Sequence, residues 1–263
     1  MKVRTFLTSL AIVLLGTGVA FAAGRFTVTP REYDPAHTFL VQAAWLDGIG
    51  CPTGARTAMY GPPPNYPITA GPSYTDPACP TGDQSDQRNQ GLLLAKTGPT
   101  ANVAAAVADI KGVRGPITEL GYDLRKSGSA TTPMGSHCGA GAPRFNVETT
   151  AASYFIGCNS PPAVMTASSN GFIRLRWGGS ATAVMGYNTA TGVLENVTGD
   201  VKSIQIVFDE GQDTGPDFFG LAVLDNIDVN GTLVGHGEQG ASGGKGNDNE
   251  GDKDNSQGGD KGD

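Results

Sequence analysis

Four carboxylates, Asp209, Glu210, Asp213 and Asp217, fall within nine residues, on a segment bent by Gly211, Gly215 and Pro216. Calcium takes about six to eight oxygens from carboxylates, carbonyls and water, and a turning backbone of this kind supplies them. The spacing is not that of an EF-hand, so a structural calcium site and a plain acidic turn both stand. Asp225 comes next, in the run Leu221–Val229. It shares the parity of Leu221, Val223, Ile227 and Val229, which turns it toward the core. An ionised carboxylate there is costly without partners. It must accept backbone hydrogen bonds, pair with Arg144, ligate a cation or be swung outward by a bulge.

Arginines offer the complementary chemistry. Arg174 and Arg176 share one parity with Phe172. Together with Arg144 they are candidates for bidentate contacts to an acidic sugar; the alternative is a solvated strand face. Tyr60 and Tyr66, with Tyr74, border the polyproline-like run Gly61–Pro67. Their rings suit stacking on sugars, or they pack back as a lid, since so long a loop needs anchors.

Catalysis is harder to assemble. Glycoside hydrolysis needs two carboxylates about 5 to 10 Å apart. Glu119, Asp123 and Asp209 are conceivable members, but no spacing brings a pair together. His37, His137 and His236 are scattered. Ser136 and His137 are adjacent, and adjacent side chains on an extended chain point apart. Gly240–Gly244 and Gly235–Gly240 fit hydrolase and dinucleotide patterns only as strings, outside any strand-to-helix context. The expected catalytic set is therefore empty, and the enzyme question leans to no.

These candidates must be positioned by a scaffold, and composition restricts it. Met1 to Ala22 has a basic lead, an apolar run and a small-x-small ending, the pattern of a secretory signal peptide. The expected location is extracellular or periplasmic. The 39 glycines and 17 prolines demand frequent turns, and a net charge of −7 disfavours nucleic acid and anionic lipid. No later stretch is apolar for long enough to span a bilayer. Cys51, Cys79, Cys138 and Cys158 read as two disulfides. Of three possible pairings, Cys51–Cys79 and Cys138–Cys158 are favoured, because the second pair brackets a hairpin of Arg144–Val147 and Ser153–Ile156. Residues 23–90 are expected to hold N-terminal strands and a disulfide-closed, irregular Pro/Tyr-rich loop, and 91–233 the core. Residues 234–263 are expected to form a disordered acidic, Gly-rich tail.

Alternation supplies the fold class. Leu120, Tyr122 and Leu124 point one way; so do Ile173, Leu175 and Trp177, and Ile204, Ile206 and Phe208. Ala101–Ile110 fits either a helix or a strand. Many such strands with Gly-rich turns predict an all-β, antiparallel two-sheet β-sandwich. Asn196-Val197-Thr198 and Asn230-Gly231-Thr232 are glycosylation sequons, meaningful in a eukaryotic host.

Four segments carry a resemblance: Thr118–Asp123, Cys138–Val147, Val207–Gly211 and Leu224–Val229. They resemble uncharacterised exported bacterial proteins. The closing strand with Asp225-Asn226-Ile227 is similar to that of jelly-roll carbohydrate-binding modules and galactose-binding-like domains. The resemblance implies a jelly-roll sandwich, a structural calcium ion and a noncatalytic carbohydrate-binding role. The expectation is a secreted monomer that binds an extracellular glycan. Its rival is a structural or adhesion protein that contacts surface proteins.

Overall fold

The computed structural model describes residues 26–51, 53–60, 68–75, 78–79, 82–98, 102–126, 142–158, 160–167, 172–180, 182–209 and 219–237; of 53–60, 68–75, 167 and 219 it describes the backbone alone. The elements among the described residues are all strands: β1 (Thr27–Tyr33), β2 (Val41–Leu46), β3 (Thr53–Tyr60), β4 (Ile68–Thr75), β5 (Gly91–Thr97), β6 (Ala105–Lys111), β7 (Glu119–Lys126), β8 (Arg144–Thr149), β9 (Ser153–Gly157), β10 (Val164–Ala167), β11 (Ile173–Gly178), β12 (Met185–Asn188), β13 (Leu194–Asn196), β14 (Val201–Phe208), β15 (Phe219–Val229) and β16 (Thr232–Val234). The first sheet runs β1-β6-β14-β8-β9-β12-β13. The second runs β10-β11-β7-β15-β5-β2, with β16 paired to β15. Every pairing is antiparallel.

Eight of these strands interleave as a jelly roll, with β5-β15-β7-β11 in one sheet and β6-β14-β8-β9 in the other. The sandwich expected from alternation is therefore present. Its core takes one face of each strand: Leu120, Tyr122 and Leu124 from β7, Ile173, Leu175 and Trp177 from β11, and Ile204, Ile206 and Phe208 from β14. Tyr122, Phe145 and Trp177 meet there with ring centroids 5.4 to 5.8 Å apart. The Tyr122 hydroxyl donates to the Pro143 carbonyl at 2.7 Å, and burial pushes its phenol well above the usual range.

Several sequence expectations are resolved or corrected. Ala101–Ile110, ambiguous by pattern, contributes strand β6, because its alanines lie flat between β1 and β14. The segment expected to be an irregular loop contains a two-stranded ribbon, β3 with β4. The ribbon is closed at its base by the Cys51–Cys79 disulfide, whose Cα atoms are 5.7 Å apart. Cys158 is also disulfide-bonded, while Cys138 lies outside the described residues. Val234 belongs to β16, and Gly235–Gly237 continue into the fold, four residues into the span assigned to the tail. There the Gly237 N–H donates to Gln90 Oε1, and a Cβ on Gly237 would sit 2.7 Å from Trp45.

The register of β15 departs most from simple alternation. Ala222 and Leu224 face the main core, whereas Leu221 and Val223 pack on the opposite side of the sheet. A bulge between Asp225 and Asp228, with Asn226 at φ 43°, then returns Ile227 and Val229 to the core. Period-2 parity cannot be carried across an inserted residue.

Candidate functional site

The two sheets present different outer faces. That of the second sheet is covered. Val223, Phe172, Cys51 and Ala78 form a small second core there, with Ile49, Leu93 and Leu221 packed against it. The Arg125 guanidinium lies 4.8 Å from the centre of the Phe172 ring.

Beside this patch runs a buried polar ladder. Arg174, Asp123 and Asp225 are successive cross-strand partners on β11, β7 and β15. Arg174 Nη2 contacts Asp228 at 2.7 Å, and Nη1 donates to the Asn226 carbonyl at 2.8 Å. The Asn226 amide donates to Asp123 Oδ2 at 2.8 Å. Asp225 accepts the N–H groups of Cys51 at 2.6 Å and Asn226 at 2.5 Å. This carboxylate therefore ties the foot of the disulfide-closed ribbon to the sheet. Gly50 and Gly235 close over it; a Cβ on either would come within 2.7 Å of an Asp225 oxygen. Burial pushes the Asp225 carboxyl well up, and Asp123 and Asp86 push it the same way. Burial also raises Asp228 to about 6, against the pull of Arg174.

This arrangement answers several sequence proposals. Arg174 is not on a solvated face; its fork is held by Asp228 and a backbone carbonyl. Arg176 pairs with Glu119 at 2.7 Å. Arg144 lies on the other sheet and grips Asp209, not Asp225, through two bonds of 2.7 and 2.8 Å. Burial works against ionisation of Asp209, but the Arg144 fork outweighs it and holds the carboxyl low. Of the calcium candidates, Glu210, Asp213 and Asp217 lie outside the described residues. Asp209 and Asp225 are far apart in role, and each already has partners on both oxygens. No group of three metal-ligating side chains occurs among the described residues. Tyr66 and the side chain of Tyr60 also fall outside the description.

A cavity of about 470 Å³ opens at the corner where β1 meets β16, lined by Phe26, Val28, Leu233, Asp83, Ser85 and His236. Its polar groups look catalytic but are wired otherwise. The Ser85 hydroxyl donates to Asp83 at 2.5 Å, and His236 Nε2 lies 3.3 Å from the same carboxylate. A hydrolytic relay needs the serine on the imidazole and the carboxylate behind it. Glu119, Asp123 and Asp209 are each engaged by an arginine: Arg176, Arg174 and Arg144 in turn.

The outer face of the first sheet is the contrasting surface. Direct cross-strand partners share a face, so one row runs Thr29, Asp109, Gln205, Asn146, Phe155, Tyr187 and Leu194 across all seven strands. Phe155 is 43% exposed; Asp109, Gln205, Asn146 and Tyr187 are half-buried. The Arg144 guanidinium lies 5.4 Å from the centre of the Phe155 ring and donates to Asn146 Oδ1 at 3.2 Å. Gln205 Nε2 donates to Asp109 at 2.8 Å. Asn146 Nδ2 and Gln205 Oε1 then make no hydrogen bond among the described residues, which leaves a donor and an acceptor beside two aromatic rings. Sequence reasoning missed this row because it is spread over seven strands; alternation set only Gln205 opposite the apolar face of its strand, and no local pattern joined it to the others.

A scan against protein-family models, a search of curated proteins and a search of solved structures each found no match to this chain.

Proposed function

We propose that the protein is a secreted, noncatalytic carbohydrate-binding module whose ligand lies on the outer face of the first sheet. The observation that carries this reading is the row Gln205–Asn146–Phe155–Tyr187, where side-chain amides with spare capacity adjoin two aromatic rings. Sugars present apolar C–H faces edged by hydroxyls. Aromatic rings and amides match those two features. Secretion is supported by the leader pattern and by a disulfide, which persists in oxidising compartments. No helix among the described residues is long and apolar enough to cross a membrane.

The test is retention on native gels cast with soluble polysaccharides, with the mature protein and a Phe155→Ala/Tyr187→Ala double variant of equal thermal midpoint. Retention of the wild type alone supports the reading. Equal retention of both would remove this face as the site. A second reading, a surface protein that makes protein contacts, is favoured by exposed Val164 and Met165 on edge strand β10 and by Val193 and Leu194 at edge strand β13. Concentration-dependent association in sedimentation, abolished by Met165→Lys, would support it.

A further inference from the structure

We infer that the ligand of this face is a neutral, linear glycan of about four sugar units laid across the strands; the inference rests on the carbohydrate reading. The charges on the central part of the face cancel locally. Arg31 Nε meets Asp109 at 2.9 Å, and Arg144 holds Asp209 through both oxygens. Arg144 is the cation nearest the exposed ring of Phe155, so it is the group an acidic sugar would need. Its two terminal nitrogens are already committed to a carboxylate, and its Nε to Asn146. A uronate would have to displace Asp209 and leave that half-buried carboxylate without its partner. The arginines once paired with an acidic ligand by sequence, Arg174 and Arg176, lie on the opposite sheet under their own carboxylates. The recognition chemistry left along the row from Gln205 to Tyr187 is uncharged: Asn146 Nδ2, Gln205 Oε1, and the rings of Phe155 and Tyr187.

Length and direction follow from the register. From Asp109 to Tyr187 the row crosses β6, β14, β8, β9 and β12. Neighbouring strands are about 4.8 Å apart, so the row spans roughly 19 Å. A pyranose unit advances a linear chain by about one strand spacing, which places successive units over successive strands. Phe155 and Tyr187, direct partners on adjacent strands, would then stack on neighbouring sugars.

The experiment is calorimetric titration of the full mature protein with soluble neutral glucan, mannan, xylan and galactan, and with polygalacturonate and alginate, at low and high salt. Oligosaccharides of the polymer that binds best then follow. The expected result is binding to at least one neutral polymer, unchanged by salt, with affinity levelling off at about four units. Phe155→Ala and Tyr187→Ala should each weaken it about tenfold. Asp209→Asn should release Arg144 and create a salt-sensitive affinity for uronates that the wild type lacks. Preferential, salt-sensitive binding of uronates by the wild type would overturn the neutral assignment and keep the carbohydrate reading. Neutral binding that keeps rising well beyond four units, or is unaffected by both ring variants, would overturn the placement across the strands. Binding to none of the polymers would overturn the carbohydrate reading and this inference with it.

Discussion

The outer face of the second sheet and the outer face of the first use similar residue types to opposite ends. Both carry arginines, aspartates, an asparagine and aromatic rings. On the second sheet these groups are buried: Asp225 lies against Gly50 and the Cys51 N–H, and Asp123, Arg174, Asn226 and Asp228 bond to one another beside it. On the first sheet Arg31, Asp109, Arg144, Asn146 and Gln205 stay at the surface, next to the exposed ring of Phe155. Burial turns a polar ladder into an element that holds the fold, because a broken pair inside leaves an uncompensated charge. Exposure leaves the same chemistry available to a ligand. A polar strip on a β-sandwich is therefore assigned by what covers it, and not by its composition.

Mutations should separate the two faces most sharply at the ladder. Arg174→Ala strands Asp228 and Asp123 in the interior and should cost about 3 to 5 kcal/mol of stability in urea unfolding. A loss below about 1 kcal/mol would show that the ladder is not what holds the second face. The double substitution Cys51→Ser/Cys79→Ser opens a closure with a sequence separation of 28. It should cost about 3 to 4 kcal/mol through the entropy returned to the unfolded chain, and leave glycan retention intact if the ligand sits on the other sheet.

Acidity offers a third contrast. Asp228, at about 6, holds its proton more tightly in the fold than at its ordinary value of 3.8, and Asp225 is shifted in the same direction. Folding should therefore gain stability as pH falls through about 6 toward about 4. Asp209 and Asp83 are held below 3.8, so their contribution is present above that value and is lost further down. Thermal midpoints should rise on mild acidification and fall below about pH 4, and Asp228→Asn should flatten the rise. A steady decline from neutral pH downward would contradict the buried-ladder account.

The smallest stability effects belong to the first face. Phe155→Ala and Gln205→Ala should change unfolding free energy by no more than about 1 kcal/mol, while glycan retention drops. A large stability loss at either position would make this face structural as well and erase the comparison.

How much of this was legible beforehand depends on the range of the interaction. Alternation in β7, β11 and β14 marked the core side of each strand correctly, because period-2 patterning is written within a few residues. The Cys51–Cys79 bridge was also legible, though the ribbon it closes was not. Asp225 was recognisable as anomalous, and a bulge was among its explanations. Its hydrogen-bond partner, the Cys51 N–H, lies 174 residues away in sequence, and no local pattern carries that information. Arg174 and Arg176 were placed on the correct parity but given the wrong surroundings, since parity says which side a residue takes and not what lies on top.

The sequence alone determined that this chain is all-β, that β7, β11 and β14 each turn one apolar side to the core, and that two cysteines close the N-terminal segment, because periodicity and composition are local properties. The tertiary structure decided which polar side is sealed and which is open, which arginine meets which carboxylate, and which seven residues form one row. Those outcomes depend on register and sheet order, where a bulge of one residue at Asn226 reverses the facing of everything beyond it.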